Sequence, residues 1–556
     1  MKSEFTPKLF TILKEGISRE RFSKDILAGV IVGIVALPLC IAFAIASGVS
    51  PEKGLITGIV AGVVISAFGG SRVQIGGPTG AFIVIVYGIV QEYGIEGLTI
   101  ATFLAGFLLM LMGFLQFGRL LKYFPYTLIT GFTTGIAVII FSSQVKDLLG
   151  LEMGQVPASF LEKWAAYAGH FASINPYAVG IGLATIFITL FFGKVSTKIP
   201  GSLVAIIGAT AAAYYFQFPV DTIGSRFGEI PNTLPAPRLY RVDLNTIQHL
   251  LQPALAIALL GGIESLLSAV VSDGMIGGRH RSNMELIAQG AANILSAMFG
   301  GIPATGAIAR TATNIKNGGR TPIAGIVHAL TLLTIMLVAS PLAKHIPLAC
   351  LAGILVVVAY NMSELHAFFS IFKTTRYDIA VLLATFLLTV IFDLVIAIEI
   401  GMVLAAFLFM KRMADATNLG QSMIFEGPAG KEGPTFEQEL KAIPRNILIY
   451  EINGPLFFGA AQKFSDTLKN IIGDHHNVLI LRMRNVPMID ATGLQRLQEI
   501  LHFMRSRNVQ VILSGVNQTI REQATKLEII EDQFIRADVQ DALAYAASLA
   551  PSSSNS

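Results

Sequence analysis

The chain predicts a polytopic α-helical membrane protein carrying a small soluble α/β domain, on three observations. Of its 556 residues 53% are hydrophobic and 14% are charged, more apolar surface than a water-soluble globule keeps dry. The charges are unevenly spread, 45 of them in residues 1–410 and 31 in residues 411–556. Long uncharged runs, of the kind that span a bilayer with about 20 residues each, are confined to the first of these stretches. The expected organisation is a cytoplasmic N-terminal segment (1–25), a membrane body (26–410), a linker (411–442), and a soluble domain with a short tail (443–556).

The apolar runs divide the body into about fourteen segments. The first seven lie near 26–48, 55–68, 78–90, 97–117, 124–145, 176–193 and 200–216. The second seven lie near 253–272, 286–299, 304–315, 322–342, 346–360, 378–392 and 394–410. The third and tenth are too short to cross alone. Residues 1–25 carry Lys2, Lys8, Lys14, Arg19, Arg21 and Lys24, and the apolar run behind them is too long and glycine-rich for a cleavable signal. With the N-terminus inside, the inner loops carry Arg119 and Lys122, Lys194 and Lys198, Arg279 and Arg281, Lys316 and Arg320, and Lys373 and Arg376, as the positive-inside rule requires. The exception is a long outer stretch with Arg226, Arg238 and Arg241. An even count returns Lys411 and Arg412 to the cytoplasm, so both termini are expected there, in the plasma (inner) membrane.

Two short segments share a local text. Gly76-Gly77-Pro78-Thr79-Gly80-Ala81 stands against Gly300-Gly301-Ile302-Pro303-Ala304-Thr305-Gly306-Ala307. Each is preceded by a similar ending, Ser66-Ala67-Phe68-Gly69-Gly70 and Ser296-Ala297-Met298-Phe299-Gly300-Gly301. This reads as a seven-plus-seven duplication whose second copy enters from the opposite face, an inverted repeat.

Helices that begin near mid-membrane leave unsatisfied, electropositive N–H groups, and two of them facing each other form an anion site. Thr79 and Thr305 stand near these starts, where a hydroxyl either caps the helix or binds an oxyanion. Arg310, about a turn and a half into the tenth segment, is the first choice for fixed positive charge, because an intramembrane guanidinium requires a cavity, a partner or a substrate. Glu264 lies mid-way along the eighth segment and shares a helix face with Gly261, Ser268 and Ser272. Desolvated there, it either exchanges a proton and couples proton to anion, or pairs permanently with Arg310. Pro38 interrupts the first segment, and beyond it Phe43 stands among small residues, either as packing or as a wall of the site.

These residues together, with Glu264-Ser265-Leu266-Leu267, Glu285-Leu286-Ile287 and Asn361-Met362-Ser363-Glu364, give the chain a resemblance, over nearly its whole length, to the SulP family of anion transporters. It is most similar to bacterial members that take up dicarboxylates or bicarbonate. The resemblance implies a mobile core (segments 1–4 and 8–11) and a gate (5–7 and 12–14) moving as an elevator in a homodimer. It also implies an anion site at Phe43, Thr79, Gly80, Ala81, Ala307 and Arg310, with Glu264 beside it. Sodium-coupled members carry Asp at the Glu264 position with hydroxyls at the Ser268 and Ile308 positions. Here Glu264 and Ser268 alone make a poor sodium cage, so protons are the expected coupling ion. Leu39 replaces a Gln of channel-like relatives, which argues against uncoupled conduction.

In the tail, alternating strands at 446–453, 478–481 and 509–513 and a helix from Leu494 give a β/α domain. It resembles the STAS domain, whose phosphorylatable Asp-Ser-Ser-Gly loop here reads Asp490-Ala491-Thr492-Gly493. Thr492 is expected as an N-cap, with phosphorylation or binding of a cytoplasmic partner as the regulatory alternative.

Cys40 and Cys350 lie far apart in apolar runs and signal neither a disulfide nor a zinc site. No phosphate loop or dinucleotide fingerprint marks an enzyme or a cofactor, and the net charge of +4 without a basic run argues against nucleic acid. The expected function is secondary active transport of a small anion, a C4-dicarboxylate or sulfate, by proton symport. Bicarbonate or chloride/bicarbonate transport, a passive channel, and a membrane-anchored STAS sensor are the alternatives.

Overall fold

The computed structural model describes residues 4–119, 125–154, 156–157, 159–194, 200–229, 231–238, 243–392, 394–416, 418–420, 446–472 and 476–549. Lys122, Lys198, Arg241, the start of the fifth segment at 124 and linker residues 421–442 lie outside them. The chain separates into two compact units, residues 1–403 and 404–556.

The first unit is helical. A short amphipathic helix, α1 (Lys8–Glu15), precedes α2 (Arg19–Ala46), α3 (Pro51–Phe68), α4 (Ile83–Phe114), α5 (Tyr126–Leu149), α6 (Phe160–Gly169), α7 (Pro176–Phe191), α8 (Gly201–Phe216) and α9 (Ile223–Phe227). Then come α10 (Leu244–Ile276), α11 (Ser282–Met298), α12 (Ile308–Lys316), α13 (Ile323–Ala343), α14 (Leu348–Met362), α15 (Leu365–Ile371), α16 (Arg376–Ile391) and α17 (Leu394–Ala416). Among the described residues six helices are long and apolar enough to cross a membrane, and α7, α8 and the Ile323–Ala339 part of α13 are shorter apolar stretches. Exposed side chains such as Phe107, Leu111, Leu183, Phe187 and Val338 give the unit the apolar exterior that a lipid solvent favours.

Three sequence expectations change here. Pro38 does not break the first segment, because α2 runs through it as one helix; a proline in a long helix removes one N–H, and neighbouring helices hold the rest. The third and fourth segments form α4 together, bent at Gly94, whose φ of 69° and ψ of −173° suit a residue without a Cβ. The tenth segment is helical only from Ile308, since Thr305–Gly306 is extended.

The helices sort into two packing groups. In one, α2 packs on α3 and α13, α4 on α10 and α11, and α10 on α12; in the other, α5 packs on α14 and α16, α14 on α7, and α7 on α8. These are the core and gate groupings that the resemblance implies. Close approach in the first group depends on small residues. A Cβ added at Gly290 of α11 would stand 2.5 Å from the Gly106 carbonyl oxygen of α4, and one at Gly106 would stand 2.7 Å from the Gly290 carbonyl oxygen.

In the second unit β1 (Asn418–Gly420), β2 (Ile447–Asn453), β3 (Val478–Asn485), β4 (Gln510–Ser514) and β5 (Ile535–Arg536) form a sheet in that order, with β1 antiparallel and the others parallel. Strand alternation builds two cores. Leu448, Tyr450 and Ile452 pack with α18 (Phe458–Ile471), α19 (Ala491–Ser506) and α20 (Gln518–Lys526), whereas Ile447, Ile449, Val478 and Ile480 meet Ala542 and Ala546 of α21 (Val539–Leu549). The end of α17 and strand β1 occupy residues expected to be linker, and α19 starts at Ala491 rather than Leu494.

The glycine contact between α4 and α11 yields a prediction. Gly290→Leu should cost about 3 kcal/mol or more, because backbone atoms cannot move aside. Gly180→Leu, on an open stretch of α7, should leave thermal unfolding of the detergent-solubilised protein near the parent value.

Candidate functional site

The two sequence breaks meet as strands. Gly76–Gly77 (βa) pairs antiparallel with Thr305–Gly306 (βb), Gly76 opposite Gly306 and Gly77 opposite Thr305. The pairing satisfies backbone groups where both chains leave helix inside the unit. The Ala307 N–H extends it by donating to the Ile75 carbonyl at 2.9 Å, and the Ile75 N–H donates to Thr311 Oγ1 of α12 at 3.0 Å.

Buried polar groups hold the approaches to both strands. Glu285 Oε2 accepts from the backbone N–H groups of Gly70 and Ser71 at 2.7 and 3.0 Å. Its Oε1 accepts from Gln289 at 3.0 Å and from Ser265 at 3.3 Å, and Gln74 donates to Ser265 Oγ at 2.7 Å. On the other approach, Asn293 exchanges two bonds of 2.9 Å with the backbone of Ala304, and Thr57 Oγ1 accepts from the Ile302 N–H at 2.7 Å.

Past each strand a helix begins. Gly80–Phe82 forms a 3₁₀ turn leading into α4, and α12 begins at Ile308. Among the described residues no side chain caps either start. Thr79 and Thr305 are therefore not caps. The Thr79 hydroxyl donates to Glu264 Oε2 at 2.9 Å, and that of Thr305, drawn into the strand two residues before the α12 cap position, donates to the Gly261 carbonyl at 2.8 Å.

Arg310 is fully buried in the first turn of α12, not a turn and a half in, because the helix starts late. Its guanidinium donates to the Pro78 carbonyl and lies 3.9 Å from Cys40 Sγ of α2. A Cβ on Gly77 (φ 148°) would stand 2.5 Å from Arg310 Nη1, so the glycine makes room for the cation. Glu264 and Arg310 form no ion pair; each bonds a different residue of the first break.

The remaining expected residues fall on either side of this centre. A Cβ on Gly80 would meet Met362 Sδ at 3.0 Å, Ile140 Cδ1 at 3.3 Å and Phe43 Cε1 at 3.4 Å, which sets Phe43 and the α4 start against α5 and α14 of the other helix group. Ala81 and Ala307 are buried at the two helix starts. Ser268 bonds Thr311 at 3.3 Å rather than Glu264, one layer away from the carboxylate, while Ile308 is exposed. Thr492, in the other unit, is the second residue of α19. Asp490 is that helix's N-cap, accepting from the Gly493 N–H at 2.6 Å, because a carboxylate already stands where the threonine was expected to serve.

Sequence reasoning passed over Glu285, Gln74 and Cys40 as members of the centre. A signal for Glu285 exists, since Glu285, Gln289 and Asn293 recur at four-residue spacing and form one buried polar face of α11.

A helical body with paired breaks, joined to a small α/β domain, defines the architecture of an anion carrier with a STAS domain. Residues 22–385 match the sulfate permease family and residues 439–542 match the STAS domain, and the chain belongs to that transporter family. It is 42% identical over 510 residues to the putative sulfate transporter YvdB of Bacillus subtilis, covering 91% of this chain and 94% of that one. It is 30% identical over 521 residues to the bicarbonate transporter BicA of Picosynechococcus, covering 91% of both. Among solved structures, the transmembrane domain of a cyanobacterial BicA superposes with a TM-score of 0.63 at 31% identity, over 69% of this chain and 98% of that one. Murine Slc26a9 shares the fold, with a TM-score of 0.86 at 18% identity over 98% and 94% of the two chains.

The bonds at Glu285 predict its role. Glu285→Ala orphans two backbone N–H groups and two side chains in a buried place, and should destabilise the solubilised protein by about 2–4 kcal/mol. Unfolding at the parent's denaturant midpoint would show that the loop before βa does not depend on this carboxylate.

Proposed function

We propose that this protein is a secondary active importer of a small oxyanion, sulfate or a C4-dicarboxylate, driven by proton symport. The observation that carries the reading is that Arg310 and Glu264 bond adjacent residues of one break, Pro78 and Thr79, beside two uncapped helix starts. The guanidinium supplies fixed positive charge and the N–H groups supply directional donors for an oxyanion. Protonation of Glu264 would remove the negative charge nearest that place, so proton and anion would load together. The absence of a direct Glu264–Arg310 pair favours this exchange over a permanent structural bridge.

In this reading Phe43, Thr79, Gly80, Ala81, Thr305, Ala307 and Arg310 bind the substrate, and Glu264, with Ser268 behind it, carries the proton. Gly80 lies where the two helix groups meet, so a rigid shift of one group against the other would carry the site across the membrane. We place the chain in the inner membrane as a homodimer with both termini cytoplasmic. The STAS domain, from about residue 443, would serve regulation or assembly through Thr492 or a protein partner. The relative named for bicarbonate keeps that anion as the second substrate candidate.

The test is labelled-sulfate uptake into proteoliposomes under an imposed pH gradient, with succinate and bicarbonate as competitors. Accumulation driven by outside acid and competed by one of these anions is expected. Flux that follows only membrane potential would indicate a channel, and absence of flux would indicate a sensor or scaffold. Arg310→Ala should abolish concentrative uptake while the protein still inserts; parent-like affinity and rate would remove Arg310 from the site. Deletion of residues 443–556 should leave anion binding by the membrane body intact even if rate falls, and loss of binding in a folded truncation would contradict this division of labour.

A further inference from the structure

A cavity of about 860 Å³ opens between the two helix groups, lined by the C-terminal ends of α2 and α5, the start of α4, and parts of α6, α9, α10 and α16. Its lining includes Ile83, which directly follows the Gly80–Phe82 turn, and Ile139 of α5. The cavity therefore reaches the first residue of α4, directly after the Gly80–Phe82 turn.

The charges around it are unequally occupied. Arg226 holds Asp147 at 2.8 Å and Asp221 at 3.1 Å, and Lys146 donates to the Gly154 carbonyl at 2.8 Å. Glu92 is exposed at the rim. Lys163 of α6 differs from these. It is 4% exposed and lines the cavity, yet among the described residues its ammonium has no hydrogen-bond or carboxylate partner. Its ammonium stands over the Tyr87 ring, 5.8 Å from the nitrogen to the centroid. The Tyr87 hydroxyl is itself committed to the Val156 carbonyl at 2.5 Å.

The placement of Lys163 is built into the local fold. Trp164 Nε1 donates to Ser142 Oγ at 3.2 Å, and the Tyr167 hydroxyl donates to the Ser142 carbonyl at 2.9 Å, tying α6 to α5 in the turn that follows the lysine. A buried ammonium without a counter-ion is costly. Burial lowers the Lys163 pKa to about 8, so the group still carries its proton at neutral pH, and an anion arriving in the cavity would relieve the cost.

We propose that this cavity is an anion-collecting vestibule, and that Lys163 is its station, a transient second site for small oxyanions on the way to Arg310. The proposal rests on the transport reading above and adds a residue that the helix-start site does not contain. The low-dielectric walls focus the field of a single cation, so the station raises the local concentration of anion and leaves translocation to the deeper site.

The experiment compares purified full-length parent, Lys163→Gln, Lys163→Met and Lys163→Arg in proteoliposomes, with labelled sulfate as probe and succinate and bicarbonate as competitors. The neutral variants should raise the apparent KM about tenfold and leave maximal rate within about twofold, and Lys163→Arg should restore the parent KM. Neutral variants with the parent's KM would overturn the station while leaving the transport reading intact. Should the parent carry none of the three anions, the transport reading fails first, and the station is then judged on the parent by chemistry. Cyanate carbamoylates the unprotonated Lys163 amine, and mass spectrometry reads the rate. Slower modification in the presence of sulfate, succinate or bicarbonate supports the station, and no protection by any of them refutes it. The same labelling decides the matter if the neutral variants do not fold.

Discussion

The pairing of Gly76–Gly77 with Thr305–Gly306 is the constraint around which the membrane body is arranged. A chain that stops a helix inside hydrocarbon must find partners for the exposed backbone, and no water is there to supply them. Two stops placed against each other solve the problem for both. Beyond the pairing stand two helix starts without side-chain caps among the described residues. The surrounding chemistry serves that pairing. Glu285 and Gln74 hold one approach, Asn293 and Thr57 hold the other, and the missing Cβ of Gly77 admits the Arg310 guanidinium.

Much of this was legible in the sequence because membrane physics writes in a coarse alphabet. Apolar run lengths gave the helices, the recurrence of Gly-Pro-Thr-Gly-Ala as Pro-Ala-Thr-Gly-Ala gave the breaks, and an ionisable residue inside an apolar run drew notice to Glu264 and Arg310. In the second unit, the alternation read in Ile447–Asn453 marks a strand, whose two faces enter different cores.

The errors share a cause, which is that local rules were overridden by partners distant in the chain. Of the two roles open to Thr79 and Thr305, helix capping gives way because Glu264 and the Gly261 carbonyl, supplied by α10, take their hydroxyls. Pro38 breaks an isolated helix, but α2 is held along its length by α3 and α13. Strand formation at Thr305–Gly306 requires the other break, more than 200 residues away, and no local window contains it. Glu285 was overlooked because it stands at the edge of an apolar run, where a charge ordinarily faces water; its burial comes from the loop at Gly70 and Ser71 folding over it.

The account's central claim is that the two charges at the first break have different duties, Arg310 holding the anion and Glu264 carrying the proton that travels with it. Glu264→Gln fixes the neutral form and keeps a side chain able to meet the Thr79 hydroxyl. The most direct measurement is labelled-anion uptake by this variant into liposomes with and without acid outside, at matched membrane potential. The account predicts that anion still binds and exchanges across the membrane, while the proton gradient no longer drives accumulation. Accumulation against the anion gradient equal to that of the parent would contradict it and leave Glu264 a structural partner of Thr79 alone.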